Sequence, residues 1–173
     1  MMKKLIGIAA AAAAVLLTGG AAVAQPGVPR VAQATCASVD LNIAFGRVEG
    51  AAGTTYREVV LTNRALAGCV LRGWPGVSYV DAAGNQVGAA AVRLGEPGSP
   101  LTLPNGASAI SDVGFAAVDN FDPATCRKTP VWGVRVYPPD NTAPLYLPLP
   151  GAYGCAGDVS PFGAQLTVAS VRS

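Results

Sequence analysis

The chain contains no histidine. That single absence excludes a Ser-His-Asp triad, a Cys-His nucleophile pair and every imidazole metal site. Its two methionines, Met1 and Met2, both fall in an expected leader, so the mature chain also lacks the thioether ligands of exported copper carriers. Charge is scarce at 13% of residues. No basic stripe suited to a phosphate backbone is present, and a nucleic-acid partner is not expected. No C-x-x-C occurs, which removes the usual redox and zinc spacings. Asn-x-Ser/Thr is missing as well, so there is no acceptor for N-glycosylation.

What is present begins with a leader. Met1-Met2-Lys3-Lys4 is followed by the apolar run LIGIAAAAAAVLL and by Ala22-Val23-Ala24, the small-x-small pattern of a signal-peptidase site. Residues 1–24 are read as a signal peptide cleaved before Gln25, 25–35 as a flexible N-terminal segment and 36–173 as one domain. The leader run is short for a bilayer span, and no later stretch approaches the roughly 20 apolar residues one needs. No cysteine follows Leu17-Thr18-Gly19-Gly20 where a lipoprotein would carry one. The expectation is therefore secretion, extracellular or at the cell envelope, without a transmembrane segment. Over the full chain 12 basic residues face 10 acidic ones. Lys3 and Lys4 account for the excess, so the mature net charge is zero.

Four cysteines remain, Cys36, Cys69, Cys126 and Cys155. An even number in an exported chain reads as two disulfides. Of three connectivities, Cys36–Cys69 with Cys126–Cys155 is preferred, because it joins sequence neighbours in opposite halves. Each bridge would close a loop worth roughly 3–4 kcal/mol by chain entropy.

Glycine and proline are scattered through the chain and punctuate short apolar segments, the pattern of a sandwich or barrel. Strands are predicted over 38–47, 54–63, 69–73, 76–81, 86–94, 100–103, 107–118, 131–138, 143–149 and 164–171. In the first, Val39, Leu41, Ile43 and Phe45 share a face. In VWGVRVY, Trp132, Val134 and Val136 do. Such alternation suits antiparallel sheets packed on one side. Turns are predicted at Asp81–Asn85, Leu103–Ala107 and Pro138–Asn141, and a bend at Gly73-Trp74-Pro75-Gly76, since proline belongs at a break in a ladder. Residues 119–130 read as the longest irregular loop.

Three stretches, GRVEGAAGTTYREVVLTN (46–63), CVLRGWPGVSYVDAAGNQVG (69–88) and LTLPNGASAISDVGF (101–115), together resemble an actinobacterial exported domain known as domain of unknown function 4232. VWGVRVYPPDNTAPLYLPLPGAYGC (131–155) fits the same pattern. The resemblance spans about residues 36–165. It implies an all-β, antiparallel immunoglobulin-like sandwich in a secreted or envelope protein, and it supplies no catalytic residues.

Candidate sites are few. Asp119, Asn120 and Asp122 offer oxygen atoms for a calcium ion, although their spacing is not that of a calcium loop and a solvated loop is the simpler reading. The ten scattered acids single out no glycosidase pair. Trp74, Tyr79, Trp132, Tyr137, Tyr146 and Tyr153 form a potential stacking platform, yet strand aromatics usually pack into cores. Trp74 and Tyr153, beside turns, are the ones expected at the surface. With Asp119 and Asp122 they are the candidate contact residues. No catalytic, metal or cofactor site is expected. The reading is a non-enzymatic exported module that binds an envelope protein or polysaccharide, with a carboxylate-dependent hydrolase or a small-ligand carrier as alternatives.

Overall fold

The described residues form thirteen strands. They are β1 (Leu41–Ala51), β2 (Thr54–Asn63), β3 (Cys69–Leu71), β4 (Gly76–Val80), β5 (Gln86–Val87), β6 (Val92–Leu94), β7 (Leu101–Leu103), β8 (Ser108–Ala116), β9 (Lys128–Pro130), β10 (Gly133–Tyr137), β11 (Leu145–Pro148), β12 (Tyr153–Cys155) and β13 (Leu166–Ala169). A four-residue helix, α1 (Pro123–Cys126), precedes β9. The computed structural model describes residues 33–173. The expected leader, and most of the segment expected over 25–35, lie outside the described residues.

Two larger sheets run β1-β2-β8-β13-β6 and β11-β10-β4-β5; β12-β9 and β3-β7 form two-stranded pairs. One core is shared between the larger sheets. Val59, Val113, Phe115, Leu166 and Val168 of the first meet Val77, Tyr79, Val87, Val134, Val136 and Leu147 of the second. Each such aliphatic side chain contributes about 1.5–3 kcal/mol on full burial. A second cluster gathers Leu41, Leu61, Leu71, Leu103 and Val171 around Cys36 and Cys69. A small third one holds Cys126, Cys155 and Val159. Both preferred disulfides, Cys36–Cys69 and Cys126–Cys155, are formed.

The predicted turns are found. In Asp81–Asn85, Asp81 Oδ1 accepts from Ala83 N at 2.9 Å and Asn85 N at 2.8 Å. Ala107 N donates to Pro104 O, and Asn141 N donates to Pro138 O, both at 3.0 Å. At the Trp-Pro-Gly bend, Gly73 takes φ +91°, which a side chain would strain. The chain leaves β3 there and enters β4 in a different sheet.

Three expectations need correction. The predicted strand 86–94 is two strands in two sheets. The break falls at Gly88, whose φ is +67° and where a Cβ would collide with the Cys155 carbonyl. Beyond it β6 joins β13 in a parallel pair, so the sheets are not wholly antiparallel. Residues 119–130 are not irregular, because α1 and β9 lie within them. The first strand begins at Leu41 and not Ser38. Ser38–Asp40 is a 3-10 turn, closed by Asp40 N donating to Ala37 O, and it leaves Val39 90% exposed.

Candidate functional site

The residues singled out by sequence are dispersed. Asp122 caps α1, its Oδ1 accepting from Thr125 N and Thr125 Oγ1, both at 2.9 Å. The Thr125 N–H, at the orphaned first turn, holds the Asp122 carboxyl below its ordinary value. Asp119 pairs with Lys128 Nζ at 2.8 Å, and that ammonium stands 5.1 Å from the Tyr153 ring centre. Asp119 and Tyr153 are thus brought together through Lys128, and Asp122 is engaged elsewhere. Among the described residues no three Asp, Glu or Cys side chains gather as metal ligands. Trp74 is half-buried and packs against the main core, with Nε1 donating to Leu94 O at 2.8 Å. Tyr153 is exposed.

Trp132 and Tyr146, named as strand aromatics expected to pack into the core, are exposed instead. Val134 and Val136 point into the core and are fully buried, so Gly133, Arg135 and Tyr137 line the other face of β10. Arg135 sits opposite Tyr146 of β11 and Ser78 of β4. Its Nη2 donates to Gln86 Oε1 at 2.8 Å, and its guanidinium lies 5.4 Å from the Tyr137 ring centre. Trp132 precedes the strand and was expected in phase with Val134. Instead it is 44% exposed, its ring meeting that of Tyr146, 46% exposed, edge to face at 6.5 Å. The alternation breaks because β10 starts only at Gly133, where the Leu147 carbonyl leaves no space for a Cβ. The Trp132 backbone remains fixed: its N–H donates to Val80 O at 2.8 Å and its carbonyl accepts from Leu149 N at 2.9 Å. Beside the ring is a groove of about 420 Å³, walled by Ala82, Pro130, Val131, Pro148 and Pro150.

One pair of acids does stand together. Glu58 of β2 is directly opposite Asp112 of β8. Arg172 bridges them, Nη2 lying 3.0 Å from Glu58 Oε1 and 3.1 Å from Asp112 Oδ1. Arg47 adds a second cation 3.1 Å from Glu58. The Arg47 N–H, then the Arg172 guanidinium, hold the Glu58 carboxyl below its ordinary value. These contacts form a charge clamp across β1, β2, β8 and the chain after β13. Burial pushes the Tyr79 phenol up to about 12, so, unlike Glu58, it stays protonated at neutral pH.

The sequence profile of one family, "Domain of unknown function (DUF4232)", matches residues 36–172. The chain belongs to that family. No curated protein and no solved structure matches it. The DUF4232 span opens at Cys36 and closes at Arg172, so it takes in both disulfides, the aromatic face and the charge clamp. What this DUF4232 domain does is read from its surface, since the family description names no activity.

Proposed function

We propose that the chain is an exported, non-enzymatic binding module of an actinobacterial envelope or the extracellular space. It has immunoglobulin-like sandwich architecture and docks on a partner protein through the Trp132–Tyr146 face. Support for export comes from the leader-like residues 1–24 and from two disulfides that use all four cysteines. Among the described residues no helix is long and apolar enough to cross a membrane. Support for the architecture comes from two sheets that share one core.

The observation that carries the docking reading is the exposed Trp132–Tyr146 pair beside an apolar, proline-walled groove. Trp, Tyr and Arg are the residues that dominate protein interfaces, and a contiguous apolar patch on a small domain marks such a surface. Of the side chains lining the groove only Trp132, through its Nε1–H, can hydrogen-bond a sugar hydroxyl, which favours a protein over a neutral glycan. The test is capture from envelope extract by the purified protein and by Trp132→Ala. Parent-specific capture, weakened roughly 30-fold by the substitution, is expected for a hot-spot aromatic. Equal capture by both proteins would overturn the docking face.

A further inference from the structure

Of the eight described arginines, two are ion-paired and six, Arg72 and Arg93 among them, are not. Arg47 and Arg172 are neutralised by Glu49, Glu58 and Asp112. Arg72 and Arg93 are not: among the described residues no carboxylate lies within ion-pair distance of either. Both are nevertheless supported. Arg72 Nε donates to Gly98 O at 3.0 Å. The Arg93 guanidinium lies over the Trp74 ring, 5.7 Å from its centre, and that ring is anchored by the core and by Leu94 O. A carbonyl and an aromatic face orient a guanidinium without cancelling its charge.

The two cations line one groove of about 380 Å³, together with Gly73, Trp74, Pro97, Pro139 and Asp140. Its floor is fixed, since Gly73 N donates to Pro97 O at 3.1 Å and Gly73 O accepts from Val171 N at 2.8 Å. We infer that this groove binds an acidic saccharide, whose anionic group, a carboxylate or a phosphate, is held by Arg72 and Arg93. Asp140 decides between ligand classes. Its exposed carboxylate forms no ion pair among the described residues and stands in the same groove, so it repels a bare anion but accepts from a hydroxyl. A sugar bearing one acid and several hydroxyls satisfies the cations and the acceptor at once. A DNA backbone would bring the charge without the hydroxyl donors.

The groove shares no lining residue with the Trp132 face, so the two sites are tested separately. The purified disulfide-bonded protein is titrated calorimetrically with trigalacturonic acid, its carboxyl-reduced neutral counterpart, glucose 6-phosphate and inorganic phosphate. Saturable binding of the uronate or of the sugar phosphate is expected, and whichever binds identifies the acid. Arg72→Gln and Arg93→Gln are each expected to weaken it roughly tenfold or more. Rising salt should weaken it too, whereas Trp132→Ala should leave it unchanged. Both arginines are exposed, so the variants should melt with the parent. The inference is overturned by failure of both acidic sugars to bind, by equal affinity for the neutral trisaccharide, by inorganic phosphate binding as tightly as the sugar phosphate, or by indifference to both arginine substitutions.

Discussion

Gln165 is buried to 2% exposure and every polar group of its side chain is engaged. Oε1 accepts from Cys155 N at 2.8 Å, and Nε2 donates to Val87 O at 3.2 Å and Ala89 O at 3.3 Å. It fastens β12 and the chain after β5 to the approach to β13. Gln165→Leu keeps the volume but orphans these backbone groups. It is expected to cost about 2–4 kcal/mol, read as a lower urea midpoint at unchanged slope. Glu58 makes a pH-dependent contribution. Its folded carboxyl is held low by Arg47 and Arg172, so its stabilisation is complete above its ordinary value and is lost as pH falls through the lowered one. Glu58→Gln should therefore melt below the parent near neutrality, and the gap should close below about pH 4; a gap constant across pH would remove the clamp from the account. None of these partnerships could be read from the chain, because each depends on strand register and packing that only the fold defines.

Individual strands were better written into local pattern. β2 falls at 54–63 as alternation and its flanking turns predict, and Cys36–Cys69 and Cys126–Cys155 pair as sequence proximity suggests. The misses have common causes. α1 is four residues held by one aspartate cap and a half-cystine, too short for helical periodicity to register. β9 and β12 are three residues each and contain Pro130 and Gly154; they pair beside the Cys126–Cys155 bridge, a constraint that local propensity does not contain. Trp132 was misassigned because β10 starts at Gly133, two residues later than the predicted strand. Replacing Cys126 and Cys155 together by alanine should thus act locally as well as globally. A cost of roughly 3–4 kcal/mol is expected for a bridge of 29-residue separation. Amide exchange should accelerate first at Lys128–Pro130 and Tyr153–Cys155, with β2 and β8 opening later. Uniform acceleration would show that the bridge supports the whole core instead.

Across the whole molecule, the two proposed surfaces use different residues, Trp132 with Tyr146 and Arg72 with Arg93. Substitutions that do not share partners usually add. The double variant Trp132→Ala/Arg93→Gln should therefore lose protein capture and saccharide binding by the same factors as the single variants, whereas a larger combined loss in either assay would mean that the two surfaces communicate.

The parallel pairing of β6 with β13 has a bearing on how the molecule comes into being. Val92, Arg93 and Leu94 align with Thr167, Val168 and Ala169, so β6 has no neighbour in its sheet until a much later part of the polypeptide has been made. Contacts this distant in sequence are slow to close. Until β13 arrives, the β6 backbone has no ladder partner in its sheet, and the Arg93 guanidinium over Trp74 lacks its backing strand. An incomplete chain would present an unpaired strand edge, and the proposed saccharide groove would be completed only with the closing steps of assembly.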